Sequence, residues 1–224
     1  MTAPPGSHLR SPWLLLVLSF GAGATDAFAF LSLGGIFTAN MTGNLVLVGL
    51  VGRDEYLDTL LGAGVAIAVF FVVLLGGFRY VHSAATTPGR STTVLLSVAA
   101  GVQVATCAIW WILDGPSAEA VIDSLVALSA SAMALQTVVA RTSAVGGGLS
   151  STFVTGTMVS VVDDLAQGKT EYLGLRIGAI ATLIAGSLTG AVSIALAPGL
   201  GPLVSAATGC IALGLVLFGA RRTD

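Results

Sequence analysis

Eight apolar segments, at roughly 12–33, 38–51, 57–81, 92–113, 120–140, 151–162, 172–196 and 203–220, occupy most of this chain and leave it only one solvent to fold in. Six are long enough, at about 1.5 Å per residue, to cross a hydrocarbon core about 30 Å thick; the second and sixth reach only about 17 to 21 Å. Charged residues make up 9% of the sequence and hydrophobic ones 55%, with a mean hydropathy of +0.96. A water-soluble surface needs far more charge, about 25% in an average globular chain. The chain is therefore an all-α integral membrane protein whose first partner is the lipid bilayer. A net charge of -2 and the lack of any basic run exclude nucleic acid and a polybasic lipid-binding patch.

The first segment has a competing reading. Arg10, the apolar run from Trp13 to Phe20 and the small residues Ala22-Gly23-Ala24 follow the order of a cleavable signal peptide. Apolar character resumes after Asp26, from Ala27 to Leu33, so the whole segment is long enough to span and is read as a membrane helix.

Charge placement then sets the topology. If the two short segments enter and leave on the same side, six spans remain. Arg10, Arg79, Arg90, Arg141, Lys169, Arg176, Arg221 and Arg222 then share one side, and Arg53 stands alone on the other. If the short segments span, the split weakens to six against three. Basic loops favour the cytoplasm, so the sequence predicts six spans with both termini cytoplasmic.

The two short segments carry related polar motifs. Phe37-Thr-Ala-Asn-Met-Thr-Gly-Asn44 in the first half is echoed by Ser151-Thr-Phe-Val-Thr-Gly-Thr157 in the second, and glycines precede each (Gly34-Gly35; Gly146-Gly147-Gly148). Three spans and one broken helix, twice over, form an inverted three-plus-three repeat, because an odd number of crossings turns the second copy upside down. The halves are 1–113 and 114–224, within one membrane domain. The re-entrant half-helices are expected to meet near the midplane, where freed backbone must be buried in protein or line a wet cavity. Helix starts at that depth suit anions, carboxylates or neutral polar ligands.

Asp26 is the sharpest single residue. A carboxylate at bilayer depth costs about 2.5 to 3.5 kcal/mol on insertion scales, so it must face the interior, either as a proton or cation site or as a partner for broken backbone. Gln136 occupies a comparable place in the second half and offers donor and acceptor without charge; an interhelical clamp is its equally weighted alternative. Arg141 falls just inside the cytoplasmic face, as a topology determinant or a substrate contact. The candidate substrate- or ion-binding set is Asp26, Asn40, Thr42, Gly43, Asn44, Gln136, Arg141, Thr152, Thr155 and Gly156. Asp163 and Asp164 read as a solvated helix end. Gly174, Gly178, Gly186 and Gly190 form a small-residue seam suited to close helix packing, within the bundle or in a homodimer.

Cys107 and Cys210 lie in apolar runs and read as packing residues. No metal-ligand spacing, phosphate-binding glycine loop or nucleophile motif occurs, and only one carboxylate is deep, so the sequence predicts neither cofactor nor enzyme.

The stretches Gly23-Ala-Thr-Asp-Ala27, Phe37 to Asn44, Leu135-Gln136 with Arg141, and Thr152-Phe-Val-Thr-Gly-Thr157 resemble the signature of the YoaK-like integral membrane proteins, a family of unknown function (domain of unknown function 1275). The resemblance covers nearly the whole chain and implies a compact helical fold in the bacterial inner membrane, without a substrate. The functional expectation is a secondary transporter of a small polar or anionic solute, with Asp26 as a proton-coupling group. A channel with two facing half-helices and a non-transporting assembly subunit are the alternatives. Single cysteines at Gly89 and Gly168 are expected to react with a membrane-impermeant thiol reagent only from the cytoplasm, and one at Ser117 only from outside; labelling of position 89 from outside overturns the six-span topology.

Overall fold

The structure, a computed structural model, describes residues 12–83, 87–142 and 154–220. Arg10, Gly146 to Gly148, Ser151, Thr152, Arg221 and Arg222 lie outside the described residues. Eight α-helices follow in order: α1 (Pro12–Ser32), α2 (Met41–Gly49), α3 (Tyr56–Val81), α4 (Pro88–Ile112), α5 (Glu119–Thr142), α6 (Val154–Ala166), α7 (Leu173–Leu196) and α8 (Gly201–Ala220). A 3-10 turn, Pro198–Leu200, links the last two. Six of these helices, all but α2 and α6, are long and apolar enough to cross a membrane.

Local chemistry accounts for the breaks. Pro12 and Pro88 stand at the first position of α1 and α4, where a missing N–H costs nothing. α1 stops before Gly34 and Gly35, whose φ angles of +78° and +74° are left-handed and favour glycine. α2 is too short to cross, at about 14 Å. Asn40 starts it, its side-chain Oδ1 accepting the Gly43 N–H at 3.3 Å.

The outside of the bundle is apolar, as lipid requires: Leu45, Phe71, Val72, Leu75, Ile184, Leu188 and Phe218 are all exposed. Polar side chains such as Ser19, Thr25, Gln103, Ser129, Gln136 and Thr137 are instead buried. Cys107 is buried, Cys210 exposed, and both are free.

α1 lies at the centre. It packs most extensively on α7, then on α8, and also touches α5. The approach to α7 is close enough to exclude side chains. A Cβ on Gly23 would collide with the Leu183 carbonyl oxygen, one on Gly186 with the Phe20 carbonyl oxygen, and one on Gly190 would lie 2.9 Å from the Ala24 carbonyl oxygen. Two glycines of the seam, Gly186 and Gly190, are thus spent inside the chain; Gly174 meets no described atom.

The remaining pairings have a regular form. α5 packs on α3 and α4 much as α1 packs on α7 and α8, and α2 lies on α3 as α6 lies on α7. Each short helix is pinned by the first turns of the long helix that follows it. The Tyr56 hydroxyl donates to the Val48 carbonyl at 2.9 Å, and Arg176 Nη1 donates to the Ser160 carbonyl at 3.0 Å. Arg176 also pairs with Asp164, so that carboxylate is not the merely solvated helix end that the sequence suggested.

The backbone-to-backbone contact between α1 and α7 leaves nothing flexible to yield. Gly186→Ala is expected to destabilise the protein by about 3 kcal/mol or more, above the usual overpacking range because backbone rather than side chain must move. Gly64→Ala and Gly214→Ala, whose new methyl groups meet open space, are expected to leave the unfolding midpoint in detergent unchanged or raised. Equal midpoints for all three would refute the close approach.

Candidate functional site

The residues after α1 double back along it. The Thr38 and Ala39 N–H groups donate to Asp26 Oδ1 at 2.8 and 2.7 Å, and the Asn40 N–H donates to Asp26 Oδ2 at 3.0 Å. Asp26 stands six residues before the end of α1, so the chain has returned by about 9 Å before α2 begins. Three consecutive backbone donors on one carboxylate answer the question that a broken helix poses in an apolar medium: where its unpaired N–H groups go.

A second side chain completes the turn. Asn44, wholly buried, donates through Nδ2 to the Phe37 carbonyl at 2.6 Å and accepts the Phe37 N–H on Oδ1 at 2.9 Å. It acts as a short piece of strand for Phe37 and is a strut rather than a ligand-facing group. Gly43 gives the turn room: a Cβ there would lie 2.7 Å from the Phe37 ring and 3.0 Å from Asn40 Nδ2.

Beside this turn is a cavity of about 480 Å³. Asp26, Asn40, Thr42 and Gly43 line it from the first half, and Val154, Thr155 and Ser187 from the second. Five of the ten sequence candidates, Asp26, Asn40, Thr42, Gly43 and Thr155, are therefore brought together. Asp26 is the only ionisable side chain in the described lining, and the hydroxyl and amide groups around it both donate and accept.

The other candidates lie elsewhere. Gln136 is buried between α5 and α4, its Nε2 donating to Gln103 Oε1 at 3.3 Å, which is the interhelical clamp. Gly209 on α8 leaves the space this pair needs, since a Cβ there would collide with Gln103 Oε1. Arg141 is exposed in the last turn of α5 and does not line the cavity. Gly156 is exposed on α6 and faces no described atom. Thr152 lies outside the described residues. Among the described residues, no three metal-ligating side chains gather.

Two further lining residues, Ser187 and Gly23, were not among the sequence's site candidates. Ser187 sits next to Gly186 in the seam, where a serine in an apolar helix was the available signal. Gly23 belongs to the same contact, its lack of a side chain bringing α7 and its Ser187 up to α1.

A bundle of six apolar spans, with a short helix starting beside a half-buried carboxylate and a cavity, defines a polytopic α-helical membrane protein. The chain belongs to the family described as "Protein of unknown function (DUF1275)", which matches residues 14–216. It is similar to the UPF0700 transmembrane protein YoaK of Bacillus subtilis (strain 168), with 31% identity over 193 residues, 82% of this chain and 82% of the relative. No solved structure matches.

The two Thr-Gly pairs, alike in sequence, differ in space. Gly43→Ala is expected to lower stability by about 1 to 3 kcal/mol through the Phe37 ring, and Gly156→Ala to change it by less than about 0.5 kcal/mol. Thermal unfolding of both variants in detergent checks this, and a larger loss at position 156 contradicts it.

Proposed function

We propose that this protein is a secondary transporter of a small polar solute, which binds in the cavity between α1, α2, α6 and α7. The observation that carries this reading is the meeting of Thr42 and Gly43 with Thr155, from the two short-helix motifs, around one partly open cavity that also holds Asp26. In transporters built from repeats, discontinuous helices from both halves meet in this way at the substrate site.

An inverted repeat fits the packing. Exchanging each of α1 to α4 with its counterpart among α5 to α8 maps the principal helix pairs onto one another. Gly190 follows Gly77 by the same 113 residues that separate Gly156 from Gly43, and both Gly77 and Gly190 are points of close helix approach. The doubling back of residues 33–40 supports a re-entrant α2. We place the protein in the bacterial inner membrane with both termini cytoplasmic, on the strength of the charge distribution.

Asp26 is the coupling group in this reading. Ionised, it is an acceptor only and satisfies three N–H groups; a proton on either oxygen turns an acceptor into a donor facing backbone donors. Its charge state is thereby linked to the position of the start of α2, the element that walls the cavity.

Asp26→Asn puts a donor amide where the Asn40 N–H or the Thr38 and Ala39 pair needs an acceptor, at an expected stability loss of about 1 to 3 kcal/mol. Reconstituted at a temperature where it stays folded, this variant is expected to exchange solute across the membrane but not to accumulate it against a proton gradient. Undiminished proton-driven accumulation removes Asp26 from the coupling, and conduction without accumulation by the wild type favours a channel.

A further inference from the structure

We propose that the cavity is electronegative and that its ligand is a small cation, a solute carrying an amine or a simple inorganic cation. This rests on the transport reading above and narrows it by charge.

The usual means by which a broken helix attracts an anion is its set of free N–H groups at the positive end of the dipole. At the start of α2 that means is already used. The Thr38, Ala39 and Asn40 N–H groups all bond to Asp26, and the Gly43 N–H bonds to the Asn40 side chain. An incoming anion would have to displace a carboxylate fixed to α1, and would meet that carboxylate's charge.

Nothing basic in the described lining offsets it. Among the described residues no lysine, arginine or histidine lines the cavity, and Arg53, whose guanidinium lies against Gly35, is not among the lining residues. The sequence from 143 to 153, leading into α6, contains no ionisable residue at all.

What remains is oxygen. Asp26 Oδ2 accepts one backbone hydrogen bond and has lone-pair capacity left, and the hydroxyl-bearing residues Thr42, Thr155 and Ser187 line the cavity among apolar side chains. A carboxylate with hydroxyl oxygens in an apolar surround focuses a negative potential into the space they enclose. A cation bound there and a proton bound to Asp26 neutralise the same charge, so occupancy by one disfavours the other.

The test reads charge preference directly. Ser187→Cys is placed in a Cys107→Ala, Cys210→Ala background of the full chain in lipid vesicles. The rates of modification are measured with trimethylammonium-ethyl and sulfonatoethyl methanethiosulfonate, with uncharged methyl methanethiosulfonate reporting access. Relative to a free thiol in solution, the cationic reagent is expected to be favoured over the anionic one by at least about tenfold, the low end of what a single-signed cleft achieves. Adding Asp26→Asn is expected to bring the ratio toward that of the free thiol. Protection of the cysteine by a primary amine but not by an alkali cation, or the reverse, separates the two sources of positive charge.

Equal rates, or a faster anionic reagent, overturn the cation assignment and leave the transport reading standing. Reaction with the uncharged reagent alone also overturns it, because the cavity then admits no charge. Failure of all three reagents shows a cavity closed to solute, and the transport reading falls with the assignment.

Discussion

One carboxylate holding three backbone N–H groups is the constraint on which the first half of this protein depends. In an apolar medium, each unsatisfied N–H costs several kcal/mol, so a helix can break at depth only where partners are waiting. Asp26 supplies them for Thr38, Ala39 and Asn40, and Asn44 supplies them for Phe37. The carboxylate gains as much as the backbone does, since a charge in the same medium needs donors around it. The two liabilities cancel at one point, and that point is the wall of the cavity. Support of the fold and formation of the site are thus the work of the same atoms.

The second half solves its version of the problem differently. When the two Thr-Gly pairs are matched in sequence, the position equivalent to Asp26 is Val139, wholly buried and apolar, so no carboxylate stands there on α5 for α6. Toward its C-terminal end α6 is held by Arg176, which reaches the Ser160 carbonyl and Asp164. One side of the cavity is thus a turn fixed by Asp26, and the other a helix tied by Arg176 toward its C-terminal end.

Much of this was legible in the sequence for a simple reason. Membrane spans are read from length and apolarity, both local properties, so all eight helices fall within a few residues of the apolar segments. A lone carboxylate and two Thr-Gly motifs stand out against such a background, and Asp26, Thr42 and Thr155 do share a cavity. What a helix faces is another matter. Where nearly every residue is apolar, the pattern gives no stripe from which to read its rotation. Gln136 therefore looked like a counterpart of Asp26 when it points at Gln103 on α4, and Ser187 went unnoticed although it lines the cavity. Gly43 and Gly156 each follow a threonine in a similar motif, yet of the two only Gly43 is crowded, because crowding is decided by Phe37 and not by the motif.

The central position of α1 has a consequence for how the protein is made. Its polar need is met within the next 14 residues, as soon as Thr38 to Asn40 follow it. Its glycine-lined face waits far longer, for Gly186 and Gly190 on α7. A chain threaded into the bilayer from its N-terminus thus carries its first helix as an unfilled slot through most of synthesis, chemically satisfied but sterically incomplete. The helix that begins the protein is the one whose neighbours arrive last, and closing that slot turns a row of inserted helices into a single body.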